Sequence, residues 1–253
     1  MTGGRKMSGL FLNPKRKNVA IVLAAGQGSR MNSDVAKQYI ELKGKPVLYY
    51  SLKRFEESFI DEIILVVPEN DIDYVKENIV EKYSIKKVSR IIAGGKERYH
   101  SVYEGLKAID YADFVFIHDG ARPLIKTKTI ETAYAVAISN KSAVVAVPVK
   151  DTVKKVNFTG IISETLEREK LWAMQTPQVF EFTSIKNAYE KAISEESGFK
   201  ERKIKLTDDA MVMEQFGGMS VHISQGDYTN IKITTQEDLL LAEFYMNNGS
   251  NES

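Results

Sequence analysis

Four short apolar runs, separated by segments of helical spacing, set the strongest limit on how this chain can fold. They are Val19-Ala20-Ile21-Val22-Leu23-Ala24-Ala25, Ile63-Ile64-Leu65-Val66-Val67, Phe114-Val115-Phe116-Ile117 and Ala143-Val144-Val145-Ala146-Val147. Each is apolar at every position rather than at alternate ones, and β-branched residues recur in each. That is the pattern of a strand covered on both faces. Between the runs, Val102, Leu106 and Ile109 follow i, i+4, i+7, with Glu104 and Lys107 off the stripe. Val47, Leu48, Leu52 and Phe55 mark a helix opening after Pro46, and Ile130, Tyr134 and Ile138 mark another opening near Thr127. Strand, helix, strand repeated in this way predicts an α/β fold with a Rossmann-like, doubly wound, mostly parallel sheet.

The alternation breaks after Val149. Asp151 to Ile162 reads as short β segments around a turn at Asn157-Phe158-Thr159-Gly160, so 150–172 is expected to be a β-arm inserted into the sheet domain. A helix over about 182–196 follows, then a polar loop around Gly198–Lys205. Thr207-Asp208-Asp209 reads as a helix start with Thr207 as N-cap, and Gly217-Gly218 as its end. Met219 to Ser224 alternates as a strand, and Leu239 to Tyr245 reads as a terminal helix. The organisation expected is a leader at 1–17, one domain over 18–247 and a tail at 248–253. The leader is basic and lacks the apolar stretch of a secretory signal, and no apolar run approaches the length of a membrane span.

Charge and rare residues narrow the chemistry. With 35 Lys and Arg against 34 Asp and Glu, the net charge is +1. That balance argues against a protein that coats nucleic acid by bulk charge, while leaving room for a local basic pocket. There is no Cys, which excludes disulfides, thiolate metal sites and Cys nucleophiles, and suits a cytoplasmic location. Three widely spaced histidines, His100, His118 and His222, argue against a multi-histidine zinc site.

The segment Leu23-Ala24-Ala25-Gly26-Gln27-Gly28-Ser29-Arg30-Met31 directly follows the first predicted strand. Gly26 and Gly28 let backbone N–H groups approach an anion. The dinucleotide fingerprint needs a third Gly where Met31 stands, and no Gly-Lys-Ser/Thr follows for a Walker loop. Instead, Arg30 sits inside the loop and Lys37 follows it, two cations that suit a triphosphate. A plain βα turn with surface cations is the alternative from the loop alone. Asp119 stands just past the strand ending at Ile117, where ligands bind in doubly wound sheets, and a carboxylate there suits Mg²⁺; a turn cap is the alternative. Gly94-Gly95 reads equally as a close approach to a base or as an ordinary turn. Lys232, taken alone, reads as a solvated lysine on a short strand-like stretch. His118 reads as structural, and Trp172 as packing.

The ordered motifs resemble those of the sugar-phosphate nucleotidyltransferases. Leu-Ala-Ala-Gly-x-Gly-x-Arg-Met is joined by Lys37-Gln38-Tyr39, Gly44-Lys45-Pro46-Val47-Leu48, Gly94-Gly95-Lys96-Glu97-Arg98 with Ser101-Val102, and His118-Asp119-Gly120-Ala121-Arg122-Pro123. Pro148-Val149-Lys150-Asp151-Thr152, Leu171-Trp172, Gln175-Thr176-Pro177-Gln178, Thr207-Asp208-Asp209-Ala210 and Asn230-Ile231-Lys232 complete the run. Within that group the chain is similar to the 2-C-methyl-D-erythritol 4-phosphate cytidylyltransferase family over about 18–247. The resemblance implies cytidylyl transfer from CTP to that polyol phosphate in non-mevalonate isoprenoid synthesis, with Mg²⁺, in a homodimer. It implies that Ala24, Ala25, Gly26, Gly28, Gly95 and Ser101 hold CTP, and that Arg30, Lys37 and Lys232 stabilise phosphate charge. Asp119 is implied as the metal ligand. Arg122 is implied as a substrate contact, and Thr152 and Arg168 as substrate contacts reaching across the dimer from the arm.

Four positions depart from the family pattern: Ala36 stands where Pro is usual, Leu166-Glu167 where Val-Asp is common, and Thr229 where many members carry a carboxylate. The rival readings are a ribitol-5-phosphate cytidylyltransferase and a silent nucleotide-binding regulator. A regulator should have lost a cation or the metal carboxylate, and this chain keeps Arg30, Lys37, Asp119 and Lys232.

Overall fold

The computed structural model describes residues 16–26 and 38–248. In chain order these form β1 (Asn18–Leu23), a small hairpin of β2 (Glu41–Leu42) and β3 (Lys45–Pro46), α1 (Val47–Glu57), β4 (Glu62–Val67), α2 (Ile72–Val75), β5 (Val88–Ala93), α3 (Arg98–Lys107), β6 (Phe114–Asp119), α4 (Thr127–Asn140) and β7 (Ser142–Pro148). Then come β8 (Lys154–Val156), β9 (Ile162–Thr165), β10 (Trp172–Glu181), α5 (Phe182–Ser194), α6 (Asp209–Val212), β11 (Ile223–Gln225) and α7 (Gln236–Asn248).

Seven strands form one sheet in the order β11-β7-β10-β6-β1-β4-β5. Every pairing is parallel except those of β10, which runs antiparallel to both neighbours. The fold is therefore the doubly wound, mostly parallel sheet that the apolar runs predict. From β1 the chain builds outward to β4 and β5, then returns to place β6 on the other side of β1. That reversal creates a crevice at the carboxyl ends of β1 and β6, the place where such sheets bind ligands.

Both faces of β1 are buried, as a strand apolar at every position requires. Val19 and Ile21 pack on one side with Val102 and Leu106 of α3 and Ile185 and Tyr189 of α5. Ala20 and Val22 pack on the other with Leu48, Leu52 and Phe55 of α1 and Ile130 and Ala133 of α4.

The segment 150–172 leaves the sheet as an arm. Among the described residues β8 and β9 pair, antiparallel, only with each other, and both are exposed along their length. Their turn is closed by Asn157, whose Oδ1 accepts from the Thr159 and Ile161 N–H groups, and by Gly160 at φ 82°. Phe158 is fully exposed, and Val156, Ile161 and Ile162 are more than half exposed.

Four sequence expectations need correction. The helix after the polar loop is capped by Asp208, whose carboxylate accepts from Met211 N at 3.0 Å, and not by Thr207. Only Ile223–Gln225 pairs as a strand in the stretch expected over Met219–Ser224. Asp119 is the last residue of β6 rather than the residue beyond the strand. Lys232 lies in irregular chain, not in a strand. The terminal helix runs Gln236–Asn248, longer than its predicted core. Among the described residues, no helix is long and apolar enough to cross a membrane.

Candidate active site

A cavity of about 630 Å³ opens at the crevice beyond β1 and β6, and its wall includes Ala24, Ala25, Gly26, Gln38, Gly95, Arg98, Ser101, Asp119 and Lys232. Main-chain bonds continue the ladders past the strand ends and hold this wall: Ala24 N donates to Val66 O at 2.7 Å, Gly94 N to Val67 O at 2.8 Å and Gly120 N to Leu23 O at 2.8 Å. Gly94 is required by close approach. A Cβ there would stand 2.4 Å from Ala25 Cβ and 2.8 Å from Ser101 Oγ. The Ser101 hydroxyl, in the first turn of α3, accepts from Gly95 N at 3.1 Å. Buried Gln38 donates from Nε2 to Ala24 O at 2.7 Å, so the residues flanking 27–37 on both sides meet at the cavity.

Asp119 is 8 % exposed and carries the charge pattern of the site. Its Oδ2 receives the Lys232 ammonium at 2.9 Å and lies 3.8 Å from Arg122 Nε, while its Oδ1 lies 3.4 Å from Arg98 Nε. Burial alone would raise this carboxyl's pKa. The charges of Arg98, then Lys232, then Arg122 outweigh it and hold the group well below the usual carboxylate range, so it stays ionised. The Asp119 N–H donates to Thr176 Oγ1 at 3.0 Å, which fixes the end of β6 against β10.

Lys232 reaches the cavity because its neighbours are pinned. Ile233 is fully buried in a small cluster with Leu42, Val47 and Ala242, and its N–H donates to Ala121 O at 2.8 Å. Asn230, two residues before Lys232, donates from Nδ2 to Thr176 O at 2.9 Å and accepts at its carbonyl from Arg122 Nη1 at 2.8 Å. Asn230, Lys232 and Ile233 thus supply one polar anchor, one cation and one apolar anchor.

The structure brings together Ala24, Ala25, Gly26, Gly95, Ser101, Asp119 and Lys232 around one cavity, with Arg122 joined to them through Asp119. Arg122 is itself 9 % exposed, and its fork is turned onto the main-chain oxygens of Asn230 and Met174. Thr152 and Arg168 are exposed on the arm and are not part of this wall; Arg168 donates to Lys150 O at 3.0 Å. Gly28, Arg30 and Lys37 lie outside the described residues. His118 is fully buried and bonded to Thr176, and burial pushes its pKa down to about 3, the setting of a structural neutral imidazole.

Sequence reasoning missed Arg98 and Asp209. Arg98 Nη1 and Nη2 donate to the two carboxylate oxygens of fully buried Asp209, both at 2.8 Å. Asp209 begins a short helix, where an acid reads as a dipole partner, so its type alone gave no signal of an ion pair. Thr176 and Asn230 stood in quoted motifs, and neither spacing nor residue type told what they would hold.

A turn of small residues, a carboxylate and a cation are gathered at the switch point of a doubly wound sheet, where such folds bind ligands. A family model described as 2-C-methyl-D-erythritol 4-phosphate cytidylyltransferase matches residues 18–248. The enzyme of that name from Lachnoclostridium phytofermentans is 49% identical over 227 residues, covering 90% of this chain and 95% of its own. The one from Clostridium novyi is 44% identical over 233 residues, covering 92% and 97%. Among solved structures, the 4-diphosphocytidyl-2C-methyl-D-erythritol synthase of Anaerococcus prevotii superposes with a TM-score of 0.78 at 34% identity, covering 92% of this chain and 99% of that one. The chain belongs to the 2-C-methyl-D-erythritol 4-phosphate cytidylyltransferase family.

Proposed function

We propose the following division of labour for cytidylyl transfer by this chain. The enzyme moves a cytidylyl group from CTP to 2-C-methyl-D-erythritol 4-phosphate, a step of isoprenoid precursor synthesis. The products are 4-diphosphocytidyl-2-C-methyl-D-erythritol and pyrophosphate. An oxygen of the acceptor phosphate forms the new bond to the α-phosphorus of CTP, and the bond from that phosphorus to the pyrophosphate oxygen breaks. The acceptor is already anionic, so no protein nucleophile is needed. The protein's work is to hold two polyanions in line and to offset their repulsion.

CTP lies along Ala24, Ala25, Gly26 and Gly28, with its base at Gly95 and Ser101, where the backbone comes close enough to read an edge. Arg30, Lys37 and Lys232 carry the phosphate charge. Lys232 is paired with Asp119 in the structure, and a triphosphate offers it a competing anion. Arg122 adds positive potential on the acceptor side, and Thr152 and Arg168 reach the acceptor from the arm of a partner subunit in a homodimer. The enzyme works in the cytoplasm.

Mg²⁺ fits this donor set. Asp119 presents one ionised carboxylate at the cavity wall, and Mg²⁺ takes one or two protein carboxylates when substrate phosphates and water complete its shell. Among the described residues no group of three or more His, Cys, Asp or Glu could hold a cation without substrate. Asp119 would hold the ion, which when bound offsets charge on the triphosphate.

The observation that carries this reading is the meeting of Asp119, Lys232 and the Gly94-Gly95 turn on one cavity in a chain of this family. Pyrophosphate release with CTP and Mg²⁺ tests it: the rate should be far higher with methylerythritol phosphate than with ribitol 5-phosphate. Equal or reversed preference would overturn the acceptor assignment.

A further inference from the structure

Arg98 forms part of the cavity wall, yet the reaction as described gives it no task. It is the first residue of α3, and its planar fork is fully engaged on Asp209, at 2.8 Å from each nitrogen. A fork–carboxylate pair of this kind fixes orientation as well as charge. Asp209 has no exposed surface and also accepts the hydroxyl of Tyr189, itself fully buried, at 2.6 Å. A carboxylate so buried persists only when it is paired and hydrogen-bonded.

The anchor is itself held in place. Gln178 of β10 donates from Nε2 to Asp208 Oδ2 at 2.9 Å and accepts at Oε1 from Ala210 N at 2.8 Å. These two bonds bracket Asp209 and tie α6 to β10. The same strand supplies Thr176, which receives the Asp119 N–H. The backbone of Asp119 and the anchor of Arg98 therefore share one support.

The two oxygens of Asp119 are not equivalent. Lys232 and Arg122 both stand on the Oδ2 side, at 2.9 and 3.8 Å. Arg98 stands on Oδ1 and, among the described residues, is the one group there. With its two terminal nitrogens spent on Asp209, Arg98 offers Asp119 only Nε. It cannot swing toward a triphosphate without breaking a buried ion pair.

We infer that Arg98 is a positioning residue: held by Asp209 and Tyr189, it fixes the Oδ1 side of Asp119 so that Oδ2 is the oxygen presented to Lys232 and to the nucleotide's cation. This rests on the role given to Asp119 under the proposed function. It makes Asp209 and Tyr189, outside the cavity wall, part of how the reaction is aligned.

A double-mutant cycle in the full-length enzyme tests this, with Arg98→Lys, Asp119→Asn and the double variant, read as kcat and KM for both substrates. Arg98→Lys keeps a positive charge and loses the fork. It should lower kcat about 10–100-fold, the usual cost of losing a partner that orients a ligand-holding side chain, with the KM for methylerythritol phosphate little changed. If Arg98 acts through Asp119, Arg98→Lys should cost almost nothing further in the Asp119→Asn background. Tyr189→Phe removes one hydroxyl and should give a smaller kcat loss in the same direction. Additive losses in the cycle, or a kcat for Arg98→Lys equal to wild type, would overturn the inference. So would a lowered melting temperature with unchanged kinetic constants, since that is a role in stability alone. The Mg²⁺ concentration for half-maximal rate, measured on Asp119→Asn, separates the two readings. If it does not move, the metal role of Asp119 fails, while the cycle still decides whether Arg98 works through that residue.

Discussion

The ammonium of Lys232 stands 2.9 Å from Oδ2 of Asp119, joining the end of β6 to an irregular segment near the C-terminus. Each charge is satisfied before any ligand arrives. Under the proposed function, a triphosphate would compete with Asp119 for the Lys232 ammonium.

Removing that cation should cost catalysis more than folding. Lys232→Ala is expected to lower kcat by about 10²–10³, the range for losing one preorganised charge-stabilising donor. Its KM for CTP should change less than kcat, and thermal melting should stay close to wild type because Ile233 still anchors the segment. Steady-state pyrophosphate release reads this directly. A raised KM with unchanged kcat would mean that Lys232 contributes only uniform binding.

Gly94 and Gly26 should respond unequally to the same change. A Cβ on Gly94 would strike Ala25 Cβ at 2.4 Å and Ser101 Oγ at 2.8 Å, whereas one on Gly26 meets nothing within 4 Å among the described residues. Gly94→Ala is expected to cost about 1–3 kcal/mol by overpacking. Gly26→Ala should stay within about 0.5 kcal/mol, as for an open site. Urea unfolding of the two variants checks the contrast; similar losses in both would refute the steric account.

Much of the fold was legible because its strands are apolar on both faces, a pattern that only a covered sheet explains. The strand β10 was not. Its sequence, Trp172 to Glu181, carries Gln175, Thr176 and Gln178 and has Pro177 in its interior, and Pro argues against a central strand. The structure accommodates this with a register shift between Met174 and Gln178 along β7. The polar side chains are turned to tasks no periodicity encodes: Thr176 to Asp119, Gln178 to α6, Gln175 to Asp227 O. In the site, Asp119 was legible at the end of a predictable strand, and Lys232 only through the resemblance of Asn230-Ile231-Lys232 to the family's motif. Arg98 and Asp209 were not, because their pairing depends on how α3 and α6 come together on one face of the sheet.

His118 should leave a mark on the pH dependence of stability. Burial lowers its pKa from 6.5 to about 3, so the imidazole is neutral in the folded protein where the unfolded chain would be protonated. Between those two values the unfolded state binds the additional proton, and stability falls as pH falls through that window. Well below pH 6.5 the slope from this one group approaches about 1.4 kcal/mol per pH unit. Urea unfolding in metal-free buffer at about pH 6 and about pH 5 measures it, with His118→Gln as the comparison. The variant should show a slope shallower by nearly one proton; identical slopes would show that His118 does not titrate differently in the two states.

The arm should serve the partner's site. Among the described residues β8 and β9 pair only with each other, stand away from the cavity wall and expose Val156, Phe158, Ile161 and Ile162. Apolar side chains on a short two-stranded ribbon have little in their own subunit to cover them, and a two-fold symmetric partner could do so. Arg168 sits at the base of this arm, exposed, with one nitrogen on Lys150 O and no further hydrogen-bond partner among the described residues, and its fork suits a phosphate. If it acts in trans, two inactive variants, Arg168→Ala and Lys232→Ala, should complement each other once their subunits exchange. Each mixed dimer would hold one site with both defects and one with neither. Random exchange makes about half of the dimers mixed, so about a quarter of wild-type activity should return by symmetry counting. If the arm served its own subunit, every site would keep one defect and activity would stay at the parental level. Exchange verified by mass-tagged subunits, with no recovery of pyrophosphate release, would therefore place Arg168 in cis.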